Sequence, residues 1–264
     1  MTAETAMIES IYRYPVKGLS PQPLSRVTLT QGRTLPADRL YAIENGPSGF
    51  DPAAPSYFPK QRFLMLMRNE RLAALRTNYE ESSHVLTIEC EGREAARGDL
   101  RTPEGRLAIE AFFRRFMPDE LRGPPKVLHG ANHSFSDVAK KVVSIINLAS
   151  VAAIAAAAGA PVDPLRFRGN VYMRGWPAWR EFDLTGQFLL GTARLKMVKR
   201  ITRCAATDVD PATGIRDLTI PKTLMQNFGH IECGIYAEVA AGGDIAIGDA
   251  LTAPAGEETG RLNL

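Results

Sequence analysis

Hydrophobic and polar positions alternate in short runs through the first half of the chain. Residues 7–15 and 25–30 carry alternating or β-branched side chains and predict strands, with breaks at Gly18-Leu19-Ser20-Pro21-Gln22-Pro23 and Gln31-Gly32-Arg33. Residues 40–44 predict another strand, entered through Asp38-Arg39. Residues 45–59, rich in Pro, Gly, Ser and Asp, form a loop long enough to be a functional segment. Residues 72–78 and 85–91 alternate like paired strands. Pro103-Glu104 then opens a helix whose apolar residues Leu107, Ile109, Phe112, Phe113 and Phe116 fall near helical spacing before Pro118 stops it.

The Gly123-Pro124-Pro125 cluster marks a boundary, since contacts between units thin out at such segments. Beyond it, residues 142–146 predict a buried strand, and Asn147 or Ser150 caps an Ala-rich helix ending at Gly159-Ala160-Pro161. Strands return at residues 170–173, 188–190, 195–201, 235–239 and 245–247. Strands this short and frequent predict a barrel-like or sandwich-like sheet rather than a doubly wound parallel one. The expected division is a unit over residues 1–125, a second over 126–254, and a polar tail over 255–264.

Composition narrows the function. Lys and Arg number 32 against 29 Asp and Glu, a net charge of +3 that is too mild for a nucleic-acid face but leaves room for a local anion site. Three cysteines, Cys90, Cys204 and Cys233, contain no C-x-x-C pair, so no disulfide framework or four-thiolate centre is expected. The apolar window 142–162 is interrupted by Ser144, Asn147, Ser150, Gly159 and Pro161 and reads as a strand end and a buried helix, not a membrane span. The first residues lack a secretory pattern, and a cytoplasmic location is expected. No G-x-S-x-G, Walker or G-x-G-x-x-G motif and no H-E-x-x-H pair occurs, which removes the hydrolase and NTPase readings those motifs carry.

Residues 199–214 hold the densest cluster of unusual chemistry. Cys204 follows a strand end, with Lys199, Arg200 and Arg203 just before it and an Asp210-Pro211-x-Thr213-Gly214 turn beyond. Cationic neighbours favour the thiolate, the nucleophilic and metal-binding form of cysteine. A buried structural cysteine beside surface bases is the alternative account. Further cations stand at strand ends: Lys17, Arg39, and Arg166 with Arg168. Each sits beside a turn from which it can reach a shared anion. Trp176 and Trp179 flank Pro177 in a loop whose default role is packing.

The order Tyr14-Pro15-Val16-Lys17, Asp38-Arg39, Arg166-Phe167-Arg168-Gly169-Asn170, Arg203-Cys204-x-x-Thr207-x-Val209-Asp210-Pro211-x-Thr213-Gly214, Cys233-Gly234-Ile235-Tyr236 and Gly248-Asp249 resembles MOSC domain proteins. It is most similar to the longer ones that begin with a MOSC N-terminal β-barrel domain, such as the mitochondrial amidoxime-reducing component and its bacterial relatives. The resemblance implies an α+β, β-rich fold in which a β-barrel MOSC domain packs with a β-rich N-terminal domain. It implies a molybdenum cofactor, with Cys204 ligating a metal already held by the pterin dithiolene, as suits a soft thiolate. Lys17, Arg39, Arg168 and Arg203 would bind the cofactor's phosphate and pterin, with Ser144, Asn170 and Thr207 as hydrogen-bond partners. Asp208 would be the nearest proton relay, or else a turn-stabilising side chain. The implied activity is reduction of small N-hydroxylated molecules, with electrons from a separate ferredoxin- or cytochrome b5-type donor and its reductase. Neither pyridoxal phosphate nor an iron–sulfur cluster is expected in this chain, nor a nucleic-acid partner or membrane span. The rival reading makes Cys204 a persulfide or cofactor carrier.

Overall fold

A computed structural model describes residues 5–252; the expected tail, 255–264, lies outside the described residues. The first unit contributes β1 (Ala6–Arg13), β2 (Gln22–Leu24), β3 (Arg26–Leu29), β4 (Tyr41–Asn45), β5 (Arg76–Glu80), β6 (Val85–Cys90), β7 (Arg93–Asp99) and α1 (Pro103–Phe116). After it come β8 (Pro125–His129), β9 (Val143–Asn147), α2 (Leu148–Ala158), β10 (Val171–Arg174), β11 (Gln187–Leu190), β12 (Ala193–Thr202), α3 (Ile220–Phe228), β13 (Glu232–Ala241), β14 (Gly243–Ala246) and β15 (Ala250–Thr252).

Seven strands close a barrel in the order β10-β9-β13-β12-β11-β15-β1, with β1 returning to β10 and β2 attached to β1. All its pairings are antiparallel except β9–β10. Period-two alternation, shifted in β1 by a bulge between Ile8 and Ser10, sends Ile8, Ile11, Ile145, Val171, Phe188, Leu195, Ile235 and Val239 into one buried core. A closed barrel has no free edge to protect, so the amphipathic strands can be short. Outside the barrel, α2 and α3 cover a second apolar cluster containing Ile146, Ile154, Tyr172, Ile201 and Leu224.

The remaining strands form the β3–β14 pair, the β5-β6-β7 sheet and the β4–β8 pair, and the core of the last two joins Tyr41, Leu86, Ile88, Ile109, Phe113 and Val127. Thr102 caps α1 by accepting the Gly105 N–H at 3.0 Å. The α+β, β-rich architecture thus has a barrel core with its helix-covered neighbour and a separate core in the first unit, but the chain does not divide them cleanly at residue 125. Strand β1 lies inside the barrel between β15 and β10, β3 pairs with β14, and β8 pairs back onto β4.

Several elements differ from the pattern-based expectation. Residues 72–78 are not one strand: residues 70–74 make a 3-10 turn, and β5 begins at Arg76. Leu72 and Leu75, three apart, face the same core, which suits a three-residue turn better than a pleat. Of the two expected caps of α2, Asn147 accepts the Ala149 N–H, whereas Ser150 lies inside the first turn and donates to the buried Glu181. The 142–162 window resolves into β9 and α2, and no helix among the described residues is long and apolar enough to cross a membrane.

Candidate functional site

One cleft collects residues from almost the whole chain. Six cationic side chains, Lys17, Arg39, Lys60, Arg166, Arg168 and Arg203, line it against two carboxylates, Asp38 and Asp137, and Cys204 opens into it. Its empty space is about 960 Å³ counted to its open mouth.

Local backbone conformation places the cations. The chain leaving β1 bridges Val16 to Tyr41, and the Lys17 N–H donates to the Tyr41 carbonyl. Arg39 and Arg168 both take left-handed conformations, φ +50 in each case, so their side chains leave the turns abruptly. Their guanidinium carbons lie 4.4 Å and 4.2 Å from the centre of the Tyr14 ring. Arg39 is anchored on both oxygens of the buried Asp38 and donates to the Arg168 carbonyl at 2.9 Å. The Arg168 guanidinium makes no hydrogen bond or ion pair among the described residues, and burial lowers its pKa to about 10 despite the favourable Tyr14 ring. A cation desolvated without a counter-ion is an open anion site.

The sulfur has a different cationic neighbour from those adjacent in sequence. Lys60, on the 3-10 turn Lys60–Arg62 that follows the 45–59 loop, donates from Nζ to Cys204 Sγ at 3.2 Å. Its ammonium also lies 3.4 Å from Asp137. Asp137 pairs with the buried Lys17, which donates as well to the Phe135 carbonyl at 2.8 Å. The segment holding Asp137 is tied down because Phe135 N–H donates to the Arg39 carbonyl and the Ser134 hydroxyl to the Asp38 carbonyl. Burial alone would raise the Asp137 pKa, but Lys17 and Lys60 hold it well below the usual carboxylate range. For Lys60, burial is outweighed by Asp137 and Cys204, and its pKa is raised. Lys60 and Asp137 carried no motif in the sequence; their only signal was a position in or beside long connections, where functional residues concentrate.

The other anticipated residues reach the cleft with their polar atoms already engaged. Arg203 donates to the Cys233 and Phe167 carbonyls, and the Thr207 hydroxyl donates to the Cys204 carbonyl at 2.9 Å. The Ser144 hydroxyl donates to Asn170 Oδ1 at 2.8 Å and accepts the Asn170 N–H. These four build the wall that holds the Cys204 turn and leave Lys17, Arg39 and Arg168 as the forward charges.

Two expectations need revision. Asp208 does not line the cleft; its carboxylate accepts the Ile220 N–H at 2.7 Å and caps the start of α3, and burial raises its pKa. It therefore has the turn-stabilising role, and Asp137 is the carboxylate nearest the sulfur side of the cleft. Arg166 pairs with Asp210 and Asp217 and fastens the turn after Cys204, although its buried Nε has no partner beside the cleft. Cys90 is half-buried and Cys233 fully buried, with its thiol pushed up to about 12 by burial. Trp176 joins the barrel core, and Trp179 packs on Phe182 and Phe228.

No three His, Cys, Asp or Glu side chains capable of holding a metal gather among the described residues. A metal at Cys204 would have fewer than three protein ligands from that set and take its other donors from what it arrives with. A soft thiol beside unpaired guanidinium fits a metal carried by a sulfur-donating, phosphorylated organic group.

The family description MOSC domain matches residues 125–252, and MOSC N-terminal beta barrel domain matches residues 5–116. No curated protein matches the chain. Among solved structures, the YUAD protein from Bacillus subtilis is similar over 94% of this chain and 94% of its own, at 13% identity and a TM-score of 0.44. YiiM from Geobacillus stearothermophilus is similar over 42% of this chain and 52% of its own, at 20% identity and a TM-score of 0.33.

Proposed function

Because the chain belongs to the MOSC domain proteins that carry the MOSC N-terminal β-barrel domain, we propose that it is a molybdenum-cofactor oxidoreductase reducing small N-hydroxylated compounds, amidoximes and N-hydroxylamines among them. MOSC domains are associated with the molybdenum cofactor in general. The observation that carries the reading is the meeting of the Cys204 thiol with the unpaired Arg168 guanidinium, and with Arg39 and Lys17 beside it, in one cleft.

Cys204 Sγ is the protein's ligand to molybdenum. Arg168 and Arg39 bind the cofactor's phosphate and pterin, and Lys17 adds a buried positive charge. Each well-formed contact of this charge-assisted kind contributes about 1.5 to 3 kcal/mol net. When bound, the cofactor supplies the two-electron chemistry that removes oxygen from an N–O bond. Water formation also needs two protons, and the proton-bearing group closest to Cys204 is the Lys60 ammonium. Asp137 keeps Lys60 charged and in place. Electrons come from a separate protein of the ferredoxin or cytochrome b5 type.

Protein produced in a cofactor-competent host is expected to carry about one molybdenum and one pterin per chain. Reduction of benzamidoxime by reduced methyl viologen should disappear in Cys204→Ala, and X-ray absorption at the molybdenum edge should lose one sulfur neighbour in whatever metal that variant retains. An unchanged sulfur count or unchanged activity in Cys204→Ala would overturn the ligand assignment. Stoichiometric persulfide on Cys204 without reductase activity would establish the carrier reading instead.

A further inference from the structure

A groove leaves the Cys204 cleft along the outer face of the barrel. It shares Asp137, Val138, Val142 and Tyr236 with the cleft, the Asp137 carboxylate being held there by Lys17 and Lys60, and continues between Tyr57 and Val198 to Lys199. Its empty space is about 740 Å³ counted to the open mouth. Both aromatic side chains are partly exposed, Tyr57 at 45%, and the Tyr57 hydroxyl is tied to the Asp137 carbonyl at 3.2 Å. The groove thus offers apolar and aromatic walls that run into the cleft holding the sulfur.

Its far end is cationic. Lys140 lines the groove but is paired with Glu238 at 3.0 Å, whereas the Lys199 ammonium makes no hydrogen bond or ion pair among the described residues. Lys199 precedes Cys204 by five residues on and just beyond β12, a span of at most about 17 Å of extended chain. One aromatic ring with substituents at opposite ends, met by a lysine side chain, covers that distance.

We propose that this groove binds the body of the substrate and that Lys199 selects N-hydroxylated aromatic molecules carrying an anionic group, such as a carboxylate, at the end away from the N–O bond. The proposal rests on the reductase reading for the chemistry at Cys204, but the groove can be tested without turnover.

Titration calorimetry of the full chain with benzamidoxime and 4-carboxybenzamidoxime measures the preference directly. The carboxylated compound should bind about tenfold more tightly, the size of one charge-assisted contact that remains partly solvated. Lys199→Met should abolish that preference and Lys199→Arg should retain most of it. Lys196→Met, exposed on the same strand but outside the groove, should leave it intact. Equal affinity for the two compounds, no binding of either, or a preference that survives Lys199→Met because the carboxylate enters the main cleft would each overturn the proposal. So would an equal loss in Lys196→Met, which would reveal a diffuse field. Reduction assays separate the two claims. Binding preference without reduction of either compound removes the reductase reading and leaves the groove; reduction with KM for the carboxylated compound unchanged in Lys199→Met removes the groove and leaves the reductase.

Discussion

Asp137 joins two cations that would otherwise repel each other, one of them the buried ammonium of Lys17. Its folded-state pKa is depressed, so its contribution is present above the ordinary carboxylate value of 3.8 and is lost as pH falls through the folded value. Asp137→Asn should therefore destabilise the protein at pH 7 by about 2 kcal/mol, discounted from a fully buried pair because the carboxylate is half exposed. The gap between variant and parent should narrow below pH 4. Urea denaturation at pH 7 and pH 3 checks both statements; a difference that does not change with pH would show that Asp137 acts only by packing. At this scale the sequence was informative for an instructive reason. Cys204 stood out because of Lys199, Arg200 and Arg203, yet Lys199 and Arg200 are exposed and Arg203 is spent on carbonyls. The charge beside the sulfur comes from Lys60, which only the folded chain brings there.

Strand β13 shows how an element fixes the site behind Cys204. Gly234 has φ +76, and a Cβ there would stand 2.5 Å from the Ile145 carbonyl oxygen and 2.6 Å from Ile146 Cδ1, next to the Arg203 guanidinium. Gly234→Ala should cost about 3 kcal/mol, combining backbone strain with overpacking in a closed barrel. Gly229→Ala, at a similar φ of +72 after α3 but with open space around it, should cost only about 1 kcal/mol. Comparable losses in chemical denaturation would mean that φ alone matters and that the close approach of β13 to β9 is not a constraint. The elements legible from pattern were α1, with Ile109, Phe112 and Phe113 inward, strand β13, whose burial alternates from Ile235 onward, and β9, a short apolar run buried on both faces. Strand β7 was not, because Arg93, Glu94, Ala95, Ala96 and Arg97 have little strand propensity and are held in place by pairing with β6. Its pairing partner, not its own composition, decides its conformation.

The cleft exists because the first unit meets the barrel around it, and that meeting is made by contacts of long sequence separation that no local pattern encodes. Lys17 with Asp137 and Lys60 with Cys204 close it on one side. On the other, Arg216 gathers the turn after Cys204 and the first unit onto one guanidinium: Nη1 donates to the Ala205 carbonyl at 2.6 Å, and Nη2 donates to the Leu66 and Met67 carbonyls at 3.0 and 2.8 Å. Glu70 completes the set at 3.2 Å. Arg76 repeats the device, donating to the Ala212 carbonyl at 2.9 Å. These carbonyls belong to irregular backbone without ladder partners, so removing the donor leaves several acceptors to rely on water alone. Arg216→Ala should lower stability by about 2 kcal/mol, against no more than about 0.5 kcal/mol for Arg71→Ala, whose exposed side chain has only a 3.9 Å ion pair and a ring contact. Hydrogen exchange should accelerate in residues 64–70 and 205–217 together while the barrel strands keep their protection. Acceleration confined to 205–217 would mean that Arg216 merely orders its own turn, and the closure of the cleft by the first unit would then have to come from the Lys17–Asp137 and Lys60–Cys204 side alone.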